Sequence, residues 1–139
     1  MLKHYHMIDH VIIVSFDIEL LAFIYNNHTK ISLGLNSSRK NKIYVSMFQK
    51  AIDHPFISQL NYSCPHIHDI LDTTLPNIPK LIWEHRDETI IIKFLRNLHQ
   101  KTSVFQWCIN NNITGITTNT VDAVYTLLNE YPEFKEYTI

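Results

Sequence analysis

The chain has 139 residues, of which 45% are hydrophobic and 18% charged, and its formal net charge is −1. That length suits a single domain spanning residues 1–139 with a sizeable core, and the near-neutral balance leaves no basic footprint for nucleic acid and no long-range steering of anions. No run of 18 apolar residues is present, which excludes a membrane-spanning helix of ordinary length.

Apolar bursts alternate with amphipathic stretches along the chain. The first burst, His10-Val-Ile-Ile-Val-Ser-Phe16, is short and β-branched, as expected of a parallel strand buried on both faces. Asp17 stands at an N-cap position, and Ile18 to Tyr25 has helical spacing. The second burst is Lys30 to Leu35. Asn36 to Lys42 reads as a loop and Ile43 to Ile52 as a helix. Phe56 to Tyr62 is the third strand expected, with Ser63 to Leu75 as its helix and Pro65 in the first helical turn. Pro79 to Trp83 is the fourth, and Glu88 to Leu98 is helical. Val104, Phe105, Cys108 and Ile109 recur at a spacing that makes Ser103 to Asn110 a helix as well. Asn110-Asn-Asn112 suits a helix C-terminus, because Asn tolerates the left-handed conformation. Ile113 to Thr118 is the fifth burst. Asn119 or Thr120 then caps a closing helix through Val121, Val124, Leu127 and Leu128.

This strand–helix rhythm predicts an α/β fold: a parallel sheet of four or five strands in sequential order, with helical crossovers on one face. Four or five strands are too few to close a barrel of about eight, so the pattern alone leaves an open sheet and half a barrel as alternatives.

Three segments carry a resemblance to a known family. His10 to Leu21, followed by Ile31-Ser-Leu-Gly-Leu35, resembles the central strand, acidic turn and Leu-rich helix of glycerophosphodiester phosphodiesterases. Leu60-Asn61 and Leu81-Ile-Trp83 resemble that family's sixth and seventh strands. Ile113-Thr-Gly-Ile-Thr-Thr-Asn-Thr-Val-Asp-Ala-Val124 resembles its last strand and closing helix. A second register places Phe105 to Asn110 on the seventh strand, but it leaves no room for the crossover of about a dozen residues that a parallel connection needs.

The resemblance implies roughly half of a TIM (βα)₈ barrel, strands five to eight, in a lipid- and glycerol-metabolising phosphoric diester hydrolase. By the same resemblance, Ser15, Phe16, Asn61, Trp83 and Arg86 become substrate-mouth candidates at the C-terminal ends of the strands, where such barrels work. The family's His-Arg-Gly strand, its Glu-Asn-Thr and its Glu-x-Lys strand have no counterpart among the predicted strands, and the final Thr-Asp is replaced by Thr118-Asn119. The resemblance therefore implies no catalytic residue and no metal ligand in this chain. It implies Ca²⁺ or Mg²⁺ only together with an N-terminal half brought by a separate chain. Alone, the chain is expected to be inactive, an interaction module or a self-associating half barrel, with Ile13, Leu33 and Ile116 on its inner face.

Other chemistry-bearing residues have simpler explanations. His66-Ile-His68-Asp69 invites a metal reading, but two histidines two residues apart on a helix do not share a face. His4, Tyr5, His6 and His10 form a cluster expected to fray with the terminus. Glu84-His-Arg-Asp87 reads as a charged loop capping the next helix, with Arg86 available to a phosphate. Ser15 lacks any nucleophile elbow and suits a hydroxyl bonded to backbone. Cys64 and Cys108 sit in no CxxC motif, which fits reduced thiols in a cytoplasmic protein.

Overall fold

The computed structural model describes residues 7–28, 30–39, 41–70, 77–84 and 89–134. His4, Tyr5 and His6, residues 71–75 of the expected third helix, and loop residues 85–88 with Arg86 lie outside them.

Five strands form one all-parallel sheet in the order β1-β2-β3-β4-β5. They are β1 (Ile12–Ser15), β2 (Ser32–Ser37), β3 (Tyr62–Pro65), β4 (Lys80–Trp83) and β5 (Ile113–Thr117). The helices are α1 (Ile18–Asn27), α2 (Lys42–Ile52), α3 (Thr89–His99), α4 (Val104–Asn110) and α5 (Val121–Asn129). Sequential parallel order with interleaved helices is the βα-repeat arrangement that the burst pattern implied.

Local chemistry sets the helix ends. Asp17 accepts hydrogen bonds from the Glu19 and Leu20 amides, Asn41 from Ile43, and Ser103 from Gln106. Each such cap contributes about 1 kcal/mol. Asn112 holds φ at 58°, turning the chain out of α4 into β5 as the Asn run implied. The last cap differs from expectation. Thr120 occupies the cap position of α5 without a side-chain capping bond; its Oγ1 pairs with Thr118 Oγ1, and its amide donates to that same oxygen.

The strand assignment falls short in β2, which runs on through Asn36 and Ser37 where a loop was expected, and it fails in the third unit. Phe56 to Gln59 belongs to a 3-10 turn, Pro55–Gln59, and the strand begins only at Tyr62. Pro55 starts that turn, His54 Nδ1 accepts the Phe56 amide, and Phe56 and Leu60 anchor into the core. The apolar burst is a packed turn whose hydrophobicity mimics a strand. Pro65 accordingly ends β3 rather than opening a helix, and among the described residues the helix expected after it is one 3-10 turn, Ile67–Asp69.

All five helices cover one face. Leu33 and Leu35 of β2 pack with Ile18, Leu21, Phe48 and Ala51, while Ile82 and Ile113 pack with Ile91, Leu95, Val104, Val124 and Leu127. Leu33 and Leu21 are completely buried, and each such side chain contributes about 1.5–3 kcal/mol. Among the described residues, no helix covers the opposite face. Ile12 is 41% and Val14 45% exposed, so β1 is not buried on both faces as its composition suggested. Strand alternation also reverses the expected inner face: Ile13, Leu33 and Ile116 point to the helices. The uncovered side carries Ile12, Val14, Gly34, Leu81 and Gly115, with Val14 opposite Gly34 and Leu81 opposite Gly115. A Cβ on Gly34 would meet Cys64 Sγ at 2.7 Å and Val14 Cγ1 at 3.0 Å, so glycine is what lets β1, β2 and β3 pack side by side there.

Candidate functional site

The carboxyl ends of the parallel strands surround a small cleft of about 190 Å³. Val14 and Phe16 come from β1 and its end, Asn36 from β2, Cys64 from β3, Leu81, Trp83 and Glu84 from β4, and Thr117, Thr118 and Asn119 from the end of β5. Ligand sites of open parallel sheets lie at this end. Its volume is below the 300 Å³ or more of typical ligand pockets, so it admits a group of phosphate or glycerol size.

Aromatic rings wall the cleft. Phe16 stacks on Tyr44 of α2 with centroids 4.0 Å apart and meets Trp83 edge to face at 5.7 Å. The Trp83 indole N–H donates to the Cys64 carbonyl at 2.7 Å, fixing the ring across β3 and β4. Trp83 also meets the His66 ring at 4.8 Å and a right angle.

Beside this wall lies a buried ionisable pair. His66 Nε2 is 2.7 Å from Glu84 Oε2, and the two side chains are only 3% and 2% exposed. His66 Nδ1 accepts the His68 amide at 3.3 Å. Together these contacts define the tautomer: the proton sits on Nε2 and is donated to the carboxylate. The pairing follows from the sheet register, because Ser63 lies opposite Lys80 and His66 opposite Trp83, which sets Glu84 one residue further along. Ladder and loop contacts hold the segment, with the His66 amide bonded to Ser37 O and the Arg39 amide to Asp69 Oδ2. The His68 ring stacks on His66 with centroids 5.1 Å apart, and one ligand atom from each of His66, His68 and Glu84 lies within 4.8 Å of the others. Spacing along a helix argued against such a meeting. It occurs because His66 is extended and only His68 lies within the 3-10 turn.

The five mouth candidates separate. Phe16 and Trp83 line the cleft. Ser15 alternates to the helix side, where its Oγ accepts the Asp17 amide at 3.0 Å. Asn61 lies at the opposite, amino-terminal end of β3, where its Oδ1 accepts the Leu33 amide at 2.9 Å and its own amide donates to Leu33 O. It clamps β2 to β3, and the late start of β3 is what carries it away from the mouth. Arg86 is outside the described residues. Sequence reasoning passed over Asn36, Thr117 and Glu84 as cleft residues, and strand alternation from a correctly placed β2, β4 and β5 is the signal that locates the first two.

Burial pushes the Cys64 thiol up to about 12 and the Cys108 thiol up to about 11. Neither is a nucleophile at neutral pH, and both are free.

No family model, no curated protein and no solved structure matches this chain. Among the described residues, no helix is long and apolar enough to cross a membrane.

On its own the cleft does not suit the Ca²⁺ or Mg²⁺ that the resemblance assigns to a separate N-terminal half. Such hard ions take six or more oxygen ligands with carboxylates prominent, whereas among the described residues lining the cleft Glu84 is the sole carboxylate, and it faces an imidazole.

Proposed function

We propose that this chain is a βα-repeat module of the glycerophosphodiester phosphodiesterase type, corresponding to the second half of that barrel. In this reading it forms part of the substrate mouth and performs no hydrolysis alone. One observation carries the reading: Phe16 and Trp83, taken from two separate segments of the resemblance, meet edge to face at the carboxyl ends of β1 and β4. The aromatic wall holds the glycerol carbons of a small phosphodiester. Thr117, Thr118, Asn36 and Asn119 offer hydrogen bonds to its hydroxyl and phosphate oxygens. The metal and the acid–base groups come from a complementary βα segment supplied by a separate chain, and the product pair would be glycerol 3-phosphate and an alcohol.

The test is a pair of measurements on the purified chain. Glycerol 3-phosphate is expected to shift the indole N–H resonance of Trp83, in the cleft, and to leave Trp107 on α4 unmoved. Glycerophosphocholine with Mg²⁺ or Ca²⁺ is expected to remain intact. Turnover above a no-enzyme control overturns the inactivity, and an unmoved Trp83 overturns the binding role.

A second reading, self-association through the uncovered sheet face, is favoured by the exposure of Ile12 and Val14. Sedimentation decides it: a monodisperse monomer at all concentrations removes this reading.

A further inference from the structure

We propose that His66, His68 and Glu84 form a binding site for a borderline transition ion, with zinc as the best fit. Two imidazoles and one carboxylate are a donor set that suits zinc and not Ca²⁺ or Mg²⁺. Three protein ligands leave a fourth position, the pattern of sites that accept water or an anionic oxygen.

The geometry is close to what the ion requires. At metal–ligand bonds of about 2.0–2.1 Å, tetrahedral ligand atoms stand about 3.3 Å apart. His66 Nε2 and Glu84 Oε2 are slightly closer than that at 2.7 Å, and the three ligand atoms lie within 4.8 Å. The ion enters where the Nε2 proton now lies, and that proton moves to Nδ1. This removes the long 3.3 Å bond from the His68 amide and frees the residue that must move. His68 is the exposed member of the set, while His66 and Glu84 are held by burial, so the adjustment falls on the side chain most able to make it. The inference is independent of the phosphodiester reading, since metal binding is measured without substrate.

The experiment uses the full chain, stripped with a chelator and titrated with zinc against a chromophoric competitor. Cobalt(II) then serves as a spectroscopic probe of coordination. One zinc per chain is expected, together with a rise in melting temperature on zinc addition. His68→Ala deletes a ligand outright and is expected to weaken zinc by more than the roughly 10–100-fold that loss of an outer-shell partner costs, and to abolish the rise. Its exposed position lets the variant keep its fold, checked by circular dichroism. Glu84→Gln, which preserves shape and removes the charge, is expected to weaken zinc to a similar extent. The chain has nine histidines, so binding that survives both substitutions places the ion elsewhere and overturns the site. Absence of stoichiometric zinc in the unaltered chain overturns it equally.

Discussion

The two faces of the sheet follow different rules although the same strands build both. On the helix side, Leu33, Leu35 and Ile82 are at most 2% exposed and touch side chains from several helices. On the other side, Ile12 and Val14 keep more than two-fifths of their surface, and two of the central positions are glycines. The packed core lies on the first face, and the candidate cleft is lined largely from the second. For the aliphatic residues of β1, β2 and β4, alternation phase thus decides which side chains join the helix-covered core.

The sharpest way to test this contrast is truncation on the helix side. Leu33→Ala or Ile82→Ala is expected to cost about 2–5 kcal/mol, because each leaves a cavity that a packed layer does not refill. Denaturant unfolding measures the loss. A cost below about 1 kcal/mol for both would mean that the helix side is not the tightly packed one.

Alkaline titration gives a smaller effect with a definite sign. Folded Cys64 stays protonated up to about 12, whereas an unfolded thiol ionises from its ordinary value of 9.0. Between these values the folded state binds more protons than the unfolded state, so stability is fully present below about pH 9 and falls as pH rises. The decline approaches about 1.4 kcal/mol per pH unit for each such thiol. Cys64→Ala is expected to flatten the curve, and an unchanged slope in that variant would show that the thiol is not shielded. Cys108, raised to about 11, adds a parallel loss over a narrower window.

Asn61→Ala is expected to cost about 1 kcal/mol, through the lost bond to the Leu33 amide, and to leave glycerol 3-phosphate binding unchanged. Weakened binding would return Asn61 to the mouth. Smallest of all is Val14→Ala on the open face, expected to change stability by about 0.5 kcal/mol or less. If that face self-associates, sedimentation should nevertheless show a shift toward monomer.

Much of the scaffold was legible in the sequence. β1, β2, β4 and β5 are β-branched or aliphatic bursts, and Asp17, Ser103 and Asn112 mark helix ends by their own side-chain chemistry. β3 was not legible, because Tyr62-Ser-Cys-Pro65 is neither strongly apolar nor β-branched. It is a strand because β2 and β4 lie on either side of it, which is tertiary information. The same reason hid the His66–Glu84 pair: no local period links residues that meet only through the register of β3 with β4. Phe16 and Trp83 were legible only through resemblance, and Asn61 was misplaced along with the strand that follows it.

Cys64 offers a clock for the sheet itself. It sits 2% exposed in the middle strand, between two neighbours and at the wall of the cleft, so a thiol reagent too large for the cleft reaches its sulfur only when β3 parts from them. With Cys108 replaced by Ser, labelling then proceeds at the intrinsic thiol rate multiplied by the fraction of molecules that are open. Without any denaturant, the slow colour change of a thiol reagent would report what fraction of the time the centre of this molecule stands open.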